Sequence, residues 1–269
     1  MLRRNEQIAE TAKYAAAKEY YEKLYNADDF VTRPYTDHET RENKLDSLVY
    51  ELNSEDKALT SLVEKHDIGR NAFFNLVTLL SVAIYDKKPN VKITWTYNGR
   101  DDLKKNDMVG LLLKDLPIMQ RLSKKKKLTD VYADVKEQVN NGIAYSYYPY
   151  TMLNSNAVQD DLVCFLYQRN IRDAGGSDIE TVDVRQNSPA AENALDVQLL
   201  DDSNGLRLVL DYAASRYDKS SMEKFAKIFI AVVETLIGAK DDDGLTVKDV
   251  IKKVNKRIGE FSWLIRWIK

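Results

Sequence analysis

The sequence contains very little of the residues that most often build metal sites and covalent frameworks. It has one cysteine, Cys164, and two histidines, His38 and His66, in 269 residues. A lone cysteine excludes an internal disulfide framework, and such a small supply of sulfur and imidazole ligands argues against a zinc site. We therefore expect no metal ion in this chain.

Proline and glycine are also scarce, at 5 and 10 residues. Because both residues interrupt regular structure, their scarcity predicts long helices and strands. No window approaches 18 uncharged apolar residues, and the first ten residues lack the apolar core of a signal peptide. We expect a cytoplasmic protein that does not enter a membrane.

The chain also lacks an excess of charge of either sign. The formal net charge is −2, so no positive field favours nucleic acid, and we expect no nucleic-acid partner. Hydrophobic residues make up 44% of the chain and charged residues 30%, which is typical of a soluble globular protein. The length suits one large domain or two small ones with a substantial core.

Common catalytic motifs are absent too. The chain has no glycine-rich phosphate loop and no G-x-S-x-G nucleophile motif. His38 and His66 each lie beside an acid, as a general base can, but no candidate nucleophile accompanies them. We interpret both as solvated histidines in a loop or at a helix end. Cys164, in the apolar run "LVCFLYQ", is interpreted as a small core residue rather than a reactive thiol.

What the sequence does contain is a series of helical and extended patterns. Apolar spacing predicts helices at 6–26, 55–68, 70–87, 128–142, 222–239 and 244–269, and strands at 45–53, 91–97 and 161–169, with a hairpin at 194–213. Ser54 and Ser220 or Ser221 are predicted helix caps, Gly238 a helix end, and 173–189 a loop. This order, with a loop between 97 and 128, predicts an α/β layered sandwich of helices on a mixed sheet.

Three features leave alternatives open. The 16 tyrosines are interpreted mainly as core residues with a polar tip. The run Lys124–Lys127 is interpreted as an exposed turn, with a docking patch for an acidic partner as the alternative. The last helix has one apolar face, and it carries Trp263 and Trp267 beside basic residues. It is expected to pack on its own domain, to bind a partner or to lie on an anionic membrane surface. We divide the chain into 1–240 and an amphipathic helix at 241–269.

One stretch suggests a function. From Ile93 to Pro117 a strand is followed by Asn98-Gly99-Arg100, a charged segment and the apolar run "MVGLLLKDLP". That run could be ordinary core between a strand and a helix. Alternatively, Gly110 lets the backbone pass close to a substrate arm, and the neighbouring apolar side chains exclude water from a thioester.

The order of the segments resembles that of nonribosomal peptide synthetase condensation domains over roughly residues 10–238. The stretch just described resembles the family segment that runs from a strand ending in glycine-arginine to "VGLFVNTLPLR". "YSYYPYT", residues 145–151, lies where the family has H-x-Q-D-Y-P-F-E, and "DLVCFLYQRN" resembles the family strand "LFDVMFVLQN". The hairpin and the helix after it resemble the family's closing hairpin and helix.

The resemblance implies a protein of two lobes, each with the fold of chloramphenicol acetyltransferase, and it matches this chain to the C-terminal lobe alone. In the family the catalytic H-H-x-x-x-D-G motif belongs to the N-terminal lobe, and nothing here matches it. Carrier-bound phosphopantetheine arms enter a channel between the lobes, where an acceptor amine attacks a donor thioester. The implied partners are an N-terminal condensation lobe and a peptidyl or acyl carrier protein with its phosphopantetheine arm. No cofactor is implied to bind this chain directly.

No catalytic residue is carried over, but the resemblance implies a set of substrate-channel residues: Arg100, Val109, Gly110, Leu111, Lys114, Asp115, Tyr148 and Pro149. The chain departs from the family at several positions. Lys114-Asp115 stands where the family has Asn-Thr, and Tyr145 and Tyr147 replace the first residues of the histidine-glutamine motif. The family's R-D-x-S-R-N-P-L would lie at 154–162, where only Leu162 matches.

The resemblance thus implies the C-terminal half of an acyltransferase that forms amide bonds between carrier-protein thioesters. This half would supply the channel floor and a docking surface, and the chain alone is expected to be inactive. The alternative is a non-catalytic scaffold that binds a carrier or another partner chain.

Overall fold

The positions of the strands and helices determine where the predicted channel residues lie. The computed structural model describes residues 12–25, 30–40, 44–52, 56–100, 110–153, 163–169, 194–202, 205–239 and 243–264. The elements within these ranges are, in chain order, α1 (Ala12–Tyr25), β1 (Leu45–Leu52), α2 (Asp56–Lys65), α3 (Arg70–Asp86), β2 (Asn90–Tyr97), β3 (Lys114–Arg121), α4 (Leu128–Ala144), a 3₁₀ turn (Tyr150–Met152), β4 (Val163–Arg169), β5 (Leu195–Asp202), β6 (Gly205–Ala213), α5 (Lys219–Ile237) and α6 (Val247–Leu264).

The described strands form one mixed sheet in the order β1-β6-β5-β4-β2-β3. β4 runs parallel to β2 and β5, while the other neighbours are antiparallel. Parallel neighbours need a crossover connection, and α4 lies between β3 and β4 in the sequence. The predicted mixed sheet with helices packed on it is confirmed.

Helices α3, α4 and α5 pack together over one face of the sheet. α3 lies between its neighbours and is buried on nearly every side, as its uniformly apolar sequence predicts. α6 packs on α5, and its Val247, Val250 and Val254 are at most 1% exposed and join the main core. The predicted apolar face of the last helix therefore packs against the chain's own core over these residues. The division of the chain at residue 240 stays a prediction.

The other face of the sheet is polar. Successive side chains on a strand alternate between faces, so Thr94 and Thr96 of β2 point away from the helices. On β5 and β6 the same face carries Gln198, whose amide donates to Asp211 at 2.7 Å. On β2, the Lys92 ammonium lies 5.2 Å from the centre of the Tyr25 ring of α1.

The predicted loop between residues 97 and 128 is wrong in part, because Lys114–Arg121 forms a strand. β3 pairs antiparallel with β2 from Asn90↔Arg121 to Tyr97↔Lys114. Proline is disfavoured inside a sheet, but β3 is at the edge, where Pro117 is tolerated. On the outer side of β3, the Gln138 side chain of α4 accepts from Met119 N at 2.9 Å and donates to Met119 O at 2.7 Å.

Several predicted helix boundaries also differ from the structure, since the helix predicted at 55–68 ends at Lys65 and the last helix begins at Val247 rather than 244. α5 begins at Lys219 with Asp218 as its N-cap, so the serines lie inside the first turn, and Ser221 donates to Asp37 at 2.9 Å instead of capping the helix. α4 continues past Gly142 to Ala144. Gly238 does end α5 as predicted. The predicted cap Ser54 and the predicted loop at 173–189 lie outside the described residues.

In the described part of the chain, no single helix is long and apolar enough to cross a membrane. Lys57–Lys65 and Arg70–Asp86 reach the required length and composition only as a pair, and the two helices are bent by 94° relative to each other.

The turn after β2 depends on Gly99. Its φ is +68°, a left-handed conformation that costs other residues energy, and a β-carbon there would lie 2.3 Å from the Leu112 carbonyl oxygen. The Asn98 side chain accepts from Arg100 N at 2.9 Å and closes the turn. Only glycine allows the two ends of the β2–β3 connection to approach this closely.

We therefore predict that Gly99→Ala destabilises the protein by at least about 1–2 kcal/mol, because alanine both strains the backbone and collides with Leu112. Urea unfolding followed by circular dichroism measures the change. Gly244→Ala is the matched control, since a β-carbon there meets nothing within 4 Å. An equal effect of the two substitutions would contradict this account of the turn.

The segment at 30–40 is attached to the start of α5. His38 Nε2 lies 2.9 Å from Asp218 Oδ1, and Asp37 accepts from Asp218 N and from Ser221. The hydrogen bond to Asp218, and then its charge, raise the pKa of His38 above the ordinary 6.5. Because the raised pKa belongs to the folded state, the contact stabilises the fold fully below about pH 6.5 and is lost as pH rises through the folded pKa.

We predict that His38→Gln destabilises the protein most at about pH 5.5 and progressively less towards about pH 8.5. The measurement is the difference in free energy of unfolding between the two proteins across that range. In an Asp218→Asn background the difference should no longer depend on pH. A pH-dependent difference that persists there would assign the effect to another group.

Candidate functional site

The β2–β3 connection ends in a short apolar loop, residues 110–113. Arg100 Nη2 donates to the Gly110 carbonyl at 2.9 Å, which ties the start of the connection to its end. Beyond this contact Leu111 and Leu113 are 84% and 56% exposed. Val109 lies outside the described residues. Two exposed leucines in one loop form an apolar surface that is costly to leave in water.

Next to this loop is a cleft of about 440 Å³ between the start of β3 and the turn after α4. It is lined by Thr94, Lys114, Asp115, Leu116, Ser146, Tyr147, Tyr148, Pro149, Tyr150 and Thr151. The Lys114 ammonium donates to the Ser146 carbonyl, and the Tyr150 hydroxyl donates to the Asp115 carbonyl. These two contacts join strand and turn across the cleft, so its shape is fixed by hydrogen bonds.

A cluster of tyrosines packs the turn after α4 against α1. The Tyr148 ring packs on Tyr14 and Tyr21 of α1, with centroids 5.0 and 5.7 Å away, and the Tyr150 ring stacks on Tyr21 and Tyr25 at 5.3 and 6.0 Å. Burial raises the pKa of both Tyr148 and Tyr150, so these phenols stay protonated near neutral pH. The prediction that the tyrosines serve mainly in packing is confirmed for this cluster.

Polar side chains surround Asp115, one of the residues that line the cleft. Thr96 and Asp115 are cross-strand partners, and the Thr96 hydroxyl donates to Asp115 Oδ1 at 2.7 Å. The Cys164 thiol of β4 lies 3.5 Å from the same hydroxyl and 3.8 Å from the same carboxylate oxygen. Burial, and then the Asp115 charge, raise the pKa of Cys164 to about 12, so the thiol is protonated and weakly nucleophilic. Its interpretation as a small buried residue is confirmed.

The histidines are placed as the sequence predicts. His38 lies in the segment at 30–40 and is 57% exposed, and its ring bonds a carboxylate rather than a nucleophile. His66 follows the end of α2, with its ring 4.5 Å from that of Tyr132. Within the described residues, no group of three His, Cys, Asp or Glu side chains could hold a metal ion.

The structure brings the predicted channel residues into two neighbouring groups. Lys114, Asp115, Tyr148 and Pro149 line the cleft, while Arg100 bonds Gly110 at the base of the exposed loop. Two residues that line the cleft, Thr94 and Ser146, were not predicted from the sequence. Thr94 carries a usable signal, since its alternation with Ile93 and Trp95 puts it on the polar face. The sequence carries no signal for Ser146, because its contact with Lys114 is made by the backbone carbonyl.

The run Lys124–Lys127 lies in a turn held against the start of α6. Its backbone carbonyls at Lys126 and Lys124 accept from Val247 N at 3.0 Å and Lys248 N at 3.1 Å. The Lys126 ammonium pairs with Asp134 of α4. At least one of the four lysines therefore has an internal structural role, and the others remain exposed.

Known structures with the same fold share this architecture. The condensation domain of the monacolin K polyketide synthase MokA superposes with a TM-score of 0.74 at 13% identity, covering 91% of this chain and 61% of its own. The epimerization domain of the third module of tyrocidine synthetase B gives 0.67 at 18% identity, with coverages of 87% and 57%. The cyclization-docking bidomain of EpoB from Sorangium cellulosum superposes with a TM-score of 0.72 at 11% identity, and the match covers 90% of this chain and 52% of the bidomain.

These likenesses confirm the predicted chloramphenicol-acetyltransferase-like fold, and this chain spans between 52% and 61% of the length of the three structures. A comparison with curated protein sequences returned no match. The family model of the Condensation domain, in contrast, matches residues 2–248. Because that match extends over most of the 269 residues, the chain belongs to the Condensation domain family.

Proposed function

We propose that this chain is the C-terminal half of a condensation-type acyltransferase and forms one wall of a channel for carrier-bound thioesters. The observation that carries the proposal is the cleft in which Lys114, Asp115, Tyr148 and Pro149 come together beside an exposed apolar loop. The catalytic H-H-x-x-x-D-G motif would belong to a second lobe, since His38 and His66 are the chain's two histidines and are not adjacent.

The cleft suits the phosphopantetheine arm of a carrier protein. The arm is a narrow chain with amide groups, an apolar segment and a phosphate. The cleft offers the exposed Asp115 carboxylate to amide donors and the rings of the Tyr147–Tyr150 turn to apolar atoms. The exposed ammonium of Lys114 can attract the phosphate. No cofactor needs to be held by this chain itself in such an arrangement.

The exposed loop suits contact with the second lobe. Leu111 is 84% exposed, and burying it against another apolar surface removes that cost. Gly110 has a φ of +155°, and a β-carbon added there would meet nothing within 4 Å, so the loop is open on that side. We therefore assign residues 110–113 to the interface and the cleft behind them to the channel wall.

We predict that the purified chain forms no amide bond from carrier-loaded thioesters, yet binds 4′-phosphopantetheine weakly in the cleft. In two-dimensional NMR, the amide resonances of Asp115, Ser146 and Tyr148 should shift when 4′-phosphopantetheine is added at millimolar concentration. Lys114→Ala should weaken binding severalfold, because it removes the ammonium. Lys125→Ala, at an exposed lysine in the turn before α4, should leave binding unchanged.

Amide formation by the chain alone would refute the half-site assignment. Shifts that avoid the cleft, or equal affinity in the two lysine variants, would refute its use by the phosphopantetheine arm.

The interface is tested by Leu111→Ser in a protein that contains both lobes. We predict that this substitution lowers the rate of amide formation at least tenfold while the unfolding temperature of this chain alone stays unchanged, because Leu111 makes its contacts with the other lobe. Tyr35→Ser is the matched control, since Tyr35 is 80% exposed but lies in the segment at 30–40. Equal rates in the two variants would remove residues 110–113 from the interface.

A non-catalytic scaffold that binds a carrier or another partner is the second candidate. The buried, protonated thiol of Cys164 and the bonding of His38 to Asp218 rather than to a nucleophile fit this function as well as the first. A two-lobe protein that binds loaded carriers with the Leu111 dependence described above, but releases no amide product, would support this function over the first.

A further inference from the structure

A second cavity lies between the C-terminal half of α3 and the first turns of α6, with a volume of about 750 Å³. Its walls include Leu80, Ala83, Ile84, Leu122 and Val247, each at least nine-tenths buried. A volume of this size is typical of sites that enclose a small ligand. The walls are apolar, so they would receive a hydrocarbon rather than a polar group.

The mouth of this cavity has the opposite character. Lys87, Lys88 and Lys124 line it, and all three are exposed. Lys87 caps α3 in a left-handed conformation with φ +56°, which turns the chain so that Lys88 and Pro89 follow along the same rim. Among the described residues only Asp86 interacts electrostatically with one of these lysines, Lys88. An apolar interior beneath an excess of positive charge selects an amphipathic anion.

This cavity is separate from the cleft of the proposed channel. It adjoins the Pro89 and Leu122 end of the β2–β3 hairpin, while the cleft adjoins the opposite end at Lys114. Along β2, the nearest lining residues of the two sites are Pro89 and Thr94, five residues and roughly 16 Å apart at the rise of a strand. A ligand in the cavity would therefore not occupy the path of the phosphopantetheine arm.

We propose that the cavity binds a single unbranched acyl chain with a terminal carboxylate. The chain lies against the α3 and α6 side chains, and the carboxylate lies at the lysine-lined mouth. The apolar walls come mainly from α3 and α6, and the three lysines lie at the end of α3 and in the turn before α4, so a single molecule can contact both. The inference does not depend on the proposed channel function.

The test is isothermal titration of the full chain with hexanoate, octanoate and decanoate below their micelle concentrations. Affinity should rise about fourfold for each added methylene, as expected when the chain leaves water. Decanol, which has the same tail without the charge, should bind at least tenfold more weakly than decanoate. Decyltrimethylammonium should not bind at this site.

Variants locate the site. The triple substitution Lys87→Gln, Lys88→Gln and Lys124→Gln should weaken decanoate at least tenfold, while Lys125→Gln, an exposed lysine of the same turn that does not line the cavity, should not. Ala83→Leu fills the cavity and should abolish binding. If Ala83→Leu lowers the unfolding temperature, Ile251→Phe provides the same measurement at a less buried wall position.

Equal affinity for decanoate and decanol, or unchanged affinity in the filled and lysine-free variants, would overturn the proposal. Co-sedimentation with anionic phospholipid vesicles, in the absence of any binding to monomeric decanoate, would overturn it as well. That result would assign the lysines to a membrane surface.

Discussion

The close approach of Gly99 to Leu112 is the constraint on which the candidate site depends. The Leu112 carbonyl occupies the space that a side chain at residue 99 would need. Because glycine leaves that space empty, β2 and β3 pair with Tyr97 opposite Lys114 and Thr96 opposite Asp115. That register turns Asp115 to the polar face. A shift of one residue would send Asp115 towards the helices and would turn the core residue Leu116 to the polar face.

The hairpin is held in place from outside the sheet by α4. Gln138 bonds both backbone groups of Met119, so its amide takes the position that a further strand would have at this edge. Gly142 of the same helix faces Leu116 of β3, and a β-carbon there would lie in ordinary van der Waals contact at 3.6 Å. The turn that closes the cleft follows directly after α4, at Tyr145. The same helix therefore fixes both the strand and the turn, and the cleft between them has little freedom to change width.

The sequence predicts the fold better than it predicts the site. Long apolar patterns such as that of α3 identify their elements, because burial on nearly every side demands a uniformly apolar helix. β3 is hard to identify from the sequence because it contains Pro117, and only the position of a strand in the sheet decides whether proline is allowed there. The cap at Ser220 or Ser221 fails for a similar reason, because Asp37, distant in sequence, bonds Ser221. Contacts through backbone atoms, such as that of Lys114 with the Ser146 carbonyl, cannot be predicted from the sequence, because any residue provides the same backbone group.

The groups around the cleft are arranged to bind and to orient rather than to transfer protons. Burial raises the pKa values of Tyr148, Tyr150 and Cys164, which keeps each of them protonated at neutral pH. Asp115 accepts from Thr96, and that bond holds the carboxylate in place. A carboxylate that is already hydrogen-bonded, together with protonated phenols, presents fixed donors and acceptors to a ligand. Under the proposed function, the base that activates an acceptor amine would therefore come from outside this cleft, from the second lobe that carries the catalytic histidines.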